Sequence, residues 1–500
     1  MHLMILPVLI PLFAGALLTL FHSVSLPKQR VLSVLSIAGQ LLVALLLMQQ
    51  ALSGDYYVYQ LGNWQPPFGI VLVLDQLSAL MLLLLAGLAL VSCLYACIGD
   101  DNKGAHFHAL IQFQLVGLNG AVLTGDLFNL FVFFEILLIA SYALLLHGGG
   151  RERSRAGLRY VMMNLVGSAL FLIALGVLYG ITGTLNMADM AVKIPLLPAE
   201  DRPLVHAAAA LLMVVFGIKA ALLPMLFWLP RAYAAAAAPV AALFAVMTKI
   251  GIYAMIRVFY LVFGGDEGIH LSLWQWLWPL ALATMALGAV GALGAWSLRG
   301  LTAWMVIISV GTLMASIAEA TVPALAAALL YLCHSTLLTA AFFLLADVVQ
   351  RYRPGPRDYF VTGPKTQHPV LLGSLFFVAA VAFAGLPPLS GFISKVWLLS
   401  SINSVWGYAL FWPLLLLASL IVIIALSRAG SALLWRQNKQ EPLQARAPYS
   451  ATLLVGSLLG LSMLFSLFAQ PLMEFATSTA EQVMATERYI QGVPQGGAHE

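Results

Sequence analysis

Apolar residues fall in stretches of about twenty along nearly the whole chain, separated by short polar segments. The stretches start near Leu3, Val31, Gln76, Ala109, Leu127, Leu158, Leu204, Ala237, Leu273, Leu301, Pro323, Pro369, Val405 and Ala451. Each closes on glycine, proline or a charged residue. Twenty residues of helix rise roughly 30 Å, the thickness of a bilayer's hydrocarbon core. The pattern predicts an all-α polytopic membrane protein of about fourteen transmembrane helices. Val58–Ile70 (VYQLGNWQPPFGI) differs: its Gly-Asn turn between short apolar strings predicts a small β-hairpin. No basic segment precedes the first run and no small-residue cleavage site follows it, so it reads as a span and not as a cleaved signal peptide. The tail after Pro471 is short and polar and is expected to be loose.

Composition removes the soluble alternatives. Hydrophobic residues make up 62% and charged ones 9% of the chain, against about 25% charged in a soluble domain. Mean hydropathy is +0.95. The net charge of +4 is small and its basic residues are dispersed, which excludes a nucleic-acid partner. Cys93, Cys97 and Cys333 lie inside apolar runs, so neither a disulfide framework nor a metal site is expected. No nucleotide loop, Ser/His/Asp arrangement or soluble catalytic domain is visible, and Gly148-Gly149-Gly150 lacks P-loop spacing. No cofactor is implied.

Loops after the odd-numbered helices carry seventeen of the 24 lysines and arginines, from Lys28 to Arg446. The other side has Lys193, Arg202 and Arg488. Basic residues stay on the cytoplasmic side, so the odd loops are expected in the cytoplasm and both termini outside.

Four basic residues remain inside the predicted spans: Lys219, Lys249, Arg257 and Lys395. A lysine at mid-bilayer costs at least about 2.5–3.5 kcal/mol, so each needs a partner or a wet cavity. Lys219 and Lys249 sit roughly 16 Å from the cytoplasmic ends of the seventh and eighth helices. Glu135 on the fifth helix shares that layer. Burial favours a neutral lysine and a nearby carboxylate favours a charged one. The layer is therefore either a fixed ion pair or a proton site of adjustable affinity. Three lysines exceed what one carboxylate neutralises, which favours the proton site. Arg257 lies near the outer helix end and stays charged; a structural or snorkelling role is expected. Asp75, Asp126 and Asp347 are read as helix caps or anchors.

Two helices are interrupted. The seventh reads KAALLPMLFWLP, with Pro224 and Pro230 near Lys219; the twelfth reads FAGLPPLSGFISK, with Gly385, Pro387, Pro388 and Gly391 before Lys395. Interior proline frees a carbonyl, which in a membrane is tolerated where water or protein satisfies it. Helices five apart run in opposite directions, the pattern of an inverted repeat with broken helices at the transport path. His334, midway along the eleventh helix beside Ser335, Thr336 and Thr339, is either a packing group or a relay.

Four runs, LGNWQPPFGIVLVLDQLSALM, TGDLFNLFVFFEILLIASYALLL, MTKIGIYAMIRVF and GLPPLSGFISK, resemble the D subunits of the Mrp/Pha-type multisubunit cation/proton antiporters. Those subunits are related to the antiporter-like subunits of respiratory complex I. The resemblance covers nearly the whole chain in the family's order. It implies helices 1–3 with the outer hairpin over 1–108, a first repeat of five helices over 109–263 and an inverted second repeat over 273–432. Helix 14 and an outer tail complete the chain over 451–500. It also implies assembly with the other antiporter subunits in a bacterial cytoplasmic membrane. The family's functional residues fall on Glu135, Lys219, Lys249 and Lys395. Two departures stand out. The family's eleventh-helix histidine and lysine positions hold Ser335 and Thr339, with His334 one residue earlier and about 100° around the helix. Where complex I relatives read WLPDAH, this chain has Trp228-Leu229-Pro230-Arg231-Ala232-Tyr233, which favours the antiporter branch.

The function expected from these residues is proton translocation coupled to counter-movement of Na⁺ or K⁺. Proton pumping in a redox-driven complex and an inert scaffold are the alternatives.

Overall fold

The structure, a computed structural model, describes residues 2–66, 69–264, 267–353, 357–363, 368–436 and 448–493. Lys365, Lys439 and Arg446 of the basic loops lie outside the described residues, as does the tail beyond 493.

The chain opens with α1 (Leu6–Leu20) and α2 (Leu26–Ala51), then a hairpin of β1 (Tyr57–Gln60) and β2 (Val71–Leu74). Next come α3 (Gln76–Ala96), α4 (Phe107–Leu123), α5 (Leu127–Leu146), α6 (Arg151–Thr182) and the short α7 (Met187–Lys193). A broken pair follows, α8 (Arg202–Ala220) and α9 (Trp228–Ala235), then α10 (Ala238–Phe244) and α11 (Met247–Arg257). After α12 (Glu267–Leu293), α13 (Leu298–Ala318) and α14 (Val322–Tyr352) comes a second broken pair, α15 (Pro369–Ala384) and α16 (Ser390–Ser401). The last helices are α17 (Trp412–Gly430), α18 (Tyr449–Leu467), α19 (Ala469–Met484) and α20 (Thr486–Gly492). Twelve of the described helical stretches are long and apolar enough to cross a membrane, and Phe107–Leu123 and Pro369–Ala384 are shorter apolar helices. Each expected apolar run falls on one of these.

Side chains close many of the helix starts. Asp75, Asp126, Ser297 and Thr321 accept amide hydrogens three residues on, at α3, α5, α13 and α14. An unpaired amide inside lipid costs several kcal/mol, so these caps hold the turns at their depth. Asp75 and Asp126 thus act as the anchors expected of them.

The hairpin forms, but with its second strand later than expected: Tyr57 pairs with Leu74 and Gln60 with Val71. Val71–Leu74 are all buried, because Leu72 also bridges to Thr124 in the α4–α5 turn. The tail expected to be loose is a correction. Residues after Pro471 continue in α19 and α20, whose Ala476, Thr479, Ala480 and Val483 repeat at helical spacing and face the bundle. Gln482 accepts from the Gln76 amide and donates to the Gly54 carbonyl. Counting polar residues missed their spacing, and spacing decides burial in a helix.

Burial sorts the bundle into rings. The span Ala238–Val262 and α14 are buried along their apolar windows and α13 nearly so, whereas α2, α6, α17 and α18 keep one face outward. The interior helices are the ones that carry Lys249 and His334. Glycines set their approach. A Cβ on Gly251 would stand 2.7 Å from the Ala220 amide nitrogen and 3.0 Å from the Lys219 carbonyl carbon, so α11 lies directly on the last turn of α8.

Both predicted breaks are present. In the first, α8 ends at Ala221 in the left-handed region (φ 62) and the Leu222 amide reaches back to the Gly217 carbonyl. In the second, α15 ends at Gly385 (φ 82) and the Leu386 amide reaches back to the Val381 carbonyl. Pro224 and Pro388 stand three residues after these left-handed residues. Two residues assigned to the interruptions lie outside them: Pro230 is in the first turn of α9 and Gly391 is the second residue of α16. Proline is tolerated in a first turn, where its missing amide has no intrahelical partner. Gly391 is required by approach, since a Cβ there would collide with the Ala382 carbonyl oxygen.

Candidate functional site

Lys219, next to the last residue of α8, has its side chain inside the bundle, 6% exposed. Its Nζ lies 3.5 Å from Asn164 Oδ1 on α6, the far limit of a hydrogen bond. It also lies 5.7 Å above the Phe134 ring. Glu135, next to that phenylalanine on α5, accepts a hydrogen bond from the Ser168 hydroxyl. Asn164 and Ser168 occupy the same face of α6, one turn apart. Lys219 and Glu135 share a layer as expected but form no direct ion pair; each meets α6 on a successive turn.

Lys249 is fully buried on α11, and its Nζ donates to Ser309 Oγ on α13 at 3.0 Å. The helix is irregular just before it. Residues 245–246 keep right-handed helical angles but break the regular hydrogen-bond pattern, the Lys249 amide bonds the Val246 carbonyl, and a π-turn at Val258–Val262 follows Arg257. Such irregularities collect at functional sites. No glycine or proline marks this one in Phe244-Ala245-Val246-Met247, so nothing in the sequence pointed to it.

His334 faces the second break. Its Nδ1 is 2.8 Å from Ser390 Oγ at the start of α16, and Ser390 Oγ is 2.6 Å from Ser462 Oγ on α18. A Cβ on Gly391 would stand 3.0 Å from His334 Nε2. The imidazole is thus directed at the break. Lys395, half-buried, reaches back along α16 so that Nζ donates to the carbonyls of Phe383 (3.1 Å) and Ala384 (2.9 Å) and to Ser419 Oγ (3.0 Å). It caps the α15 end, where free carbonyls concentrate negative potential.

Ion pairs gather at the two ends of the bundle. At the end away from the basic loops, Arg257 grips both carboxylate oxygens of Asp75, at 2.6 and 2.8 Å, the structural role expected of it. At the basic end, Arg299 and Arg351 hold Asp347 and Arg351 extends to Asp100, tying the α3–α4 loop, α13 and α14 together. Arg30 holds both oxygens of Asp101 and His108 Nε2 bonds one of them. Burial would raise the Asp101 carboxyl, but the Arg30 and His108 contacts outweigh it and hold the group below its usual range. Cys97 stands close to Asp101 and His108, a cluster whose donor atoms lie within 4.8 Å of one another. Since Arg30 already neutralises that carboxylate, the cluster is an ion-paired tie between α2, α3 and α4. In the α4–α5 turn, burial pushes the Asp126 carboxyl up to about 6.

The residues that sequence reasoning missed are neutral: Asn164, Ser168, Ser309, Ser390, Ser419 and Ser462. Their signal was a lone polar residue inside an apolar run, as in YVMMNLVGSALF around Asn164 and Ser168.

Residues 124–425, which contain Glu135, Lys219, Lys249, His334 and Lys395, match the family described as NADH:quinone oxidoreductase/Mrp antiporter, TM. A protein of Rhizobium meliloti, named as the D subunit of a probable K(+)/H(+) antiporter, is 41% identical, with 99% of each chain covered. The Na(+)/H(+) antiporter's D subunit in Alkalihalophilus pseudofirmus is 37% identical over 98% of this chain and 99% of the relative. A solved chain of the Mrp complex from Dietzia superposes with a TM-score of 0.89 at 26% identity, covering 99% of both. With end-to-end similarity of this kind, the chain belongs to the NADH:quinone oxidoreductase/Mrp antiporter family and, within it, to the D subunits of the cation/proton antiporters.

Proposed function

We propose that the chain is the proton-translocating D subunit of a multisubunit antiporter that exchanges protons for Na⁺ or K⁺. In this reading protons pass through Glu135, Lys219, Lys249, His334 and Lys395. The observation that carries it is the chemistry around the three lysines. Every hydrogen-bond partner they have among the described residues is neutral: Asn164 for Lys219, Ser309 for Lys249, and Ser419 with two carbonyls for Lys395. A lysine held by a carboxylate stays charged, whereas one held by neutral acceptors in an apolar interior can lose its proton. A group that both takes and releases a proton is what a relay requires.

The chain sits in a bacterial cytoplasmic membrane with the basic loops inside and both termini outside, beside the other subunits of the complex. The matching geometry at Ala221–Pro224 and Gly385–Pro388 supports two five-helix repeats over 109–263 and 273–432. The named relatives support antiport over redox chemistry, and Arg231 in the WLPRAY segment agrees. The family's description also covers quinone oxidoreductases, so proton pumping within a redox complex is the second reading. Cation-dependent proton flux in vesicles holding the assembled complex, without quinone or reductant, is expected under antiport. Flux that appears only with an electron donor and acceptor would replace antiport with the second reading.

A further inference from the structure

Hydroxyls buried in this bundle usually bond their own helix. Ser335 and Thr336 donate to Leu332, Ser394 to Ser390, Ser309 to Val306 and Thr302 to Leu298. That back-bonding is the default for serine and threonine in apolar helices, because it satisfies the donor without a partner. Ser390 and Ser462 depart from it. Among the described residues neither hydroxyl bonds its own helix. Together they bridge α14, α16 and α18 in the chain His334 Nδ1, Ser390 Oγ, Ser462 Oγ, with separations of 2.8 and 2.6 Å. All three residues are at most 3% exposed.

A hydroxyl carries one proton and two lone pairs, so the chain has two complete polarities. With Nδ1 unprotonated, Ser462 donates to Ser390 and Ser390 to the imidazole. With Nδ1 protonated, the imidazole donates to Ser390, Ser390 to Ser462, and the proton of Ser462 is left to point onward. One turn along α18 is Ser466, whose buried Oγ has no partner among the described residues. Ser466 is next to the last residue of α18, at the end of the bundle where Asp75, Arg257 and α19 lie. From Ser462 to that end is five residues, roughly 7.5 Å of helix.

We propose that Ser390 and Ser462 conduct protons between His334 and the end of α18, making this helix, which lies outside both five-helix repeats, part of the path. The proposal rests on the proton-transport reading above. In the forward transfer, His334 Nδ1 gives its proton to Ser390 Oγ as the Ser390 proton passes to Ser462 and that of Ser462 passes on toward Ser466. The terminal acceptor is water at that end of the bundle, and no group gains or loses net charge except the imidazole and that water. The hop leaves the chain in the first polarity, and the hydroxyls rotate back to the second as His334 is reprotonated.

The test uses the whole complex in proteoliposomes, with subunit content measured beside proton-coupled cation flux and its ratio in H₂O and D₂O. Ser462→Ala and Ser390→Ala are each expected to slow flux by about a hundredfold, the lower end of what proton-transfer groups contribute. Ser462→Thr, which keeps the hydroxyl, is expected to stay within about twofold of the parent. The D₂O effect should rise in the alanine variants as proton transfer becomes limiting. Full flux in both alanine variants, or equal loss in Ser462→Thr and Ser462→Ala with the complex assembled, overturns the branch. Lys249→Ala separates the two levels: if it abolishes flux while the serine variants do not, only the branch fails. If Lys249→Ala carries full flux, the lysine relay fails.

Discussion

Lys219 and Glu135 are joined through α6 and not directly: Asn164 holds the amine and Ser168 the carboxylate, one helical turn apart. An ion pair buried in lipid would be hard to open, because separating its members leaves each charge unpaired. In the proposed relay, the intervening amide and hydroxyl keep both groups hydrogen-bonded whichever protonation state Lys219 takes. The 3.5 Å separation leaves the amine room to shift toward either neighbour.

Asn164→Asp tests that arrangement. It puts a carboxylate where the amide now stands, converting a neutral contact into a fixed ion pair. Antiport is expected to fall by about tenfold or more, as is common when a proton-transfer group is locked in one state. Lys219→Ala is expected to abolish flux with the complex assembled. Parent-level flux in Asn164→Asp vesicles would mean that a permanent charge at Lys219 is sufficient.

Lys249→Arg makes the same distinction on the interior helix. Arginine keeps the charge and can still donate to Ser309, but it does not deprotonate in a protein. Flux in Lys249→Arg should be as low as in Lys249→Ala, by about a hundredfold. A static role for the charge predicts that arginine rescues, and vesicle flux at matched subunit content decides.

Gly251→Ala probes how α11 is seated. The added Cβ would meet backbone atoms of Lys219 and Ala220, not a flexible side chain. Overpacking of this kind costs about 1–3 kcal/mol. A lower melting temperature of the detergent-solubilised complex is expected, with transport reduced beyond the loss of folded protein because both lysines move. An unchanged melting temperature would show that α8 and α11 can part without cost.

Asp126 gives a pH dependence outside the spans. Its native carboxyl holds its proton up to about 6, whereas an unfolded aspartate releases it near about 4. Between those values the native state binds more protons, so stability falls as pH rises through that window. Asp126→Asn keeps an acceptor for the Asn129 amide and removes the charge. The variant should melt higher than the parent, by more at pH 8 than at pH 5. Equal shifts at the two pH values would mean that Asp126 titrates as it does in the unfolded chain.

Much of the architecture was legible because a bilayer enforces a simple rule: about twenty apolar residues in a row form a span. The same rule isolated Lys219, Lys249, Arg257 and Lys395, since charge inside a run is costly and conspicuous. Gly385 and Pro387–Pro388 announced a break because backbone without hydrogen bonds has a sequence signature. Neutral hydroxyls and amides leave only a weak mark, a lone polar residue in an apolar run, and Ser390 and Ser462 look like any serine that bonds its own helix. Whether they do so depends on which helix lies opposite, and that is settled by packing. The irregular turn at 245–246 and the burial of α19 and α20 belong to the same class. The sequence by itself determined which segments enter the membrane and which charges go with them, because transfer from water is a property of each residue. Only the tertiary structure decided that Asn164 meets Lys219 while Ser168 meets Glu135, and that His334 turns toward Ser390, because rotation about a helix axis is set by contacts distant in the chain.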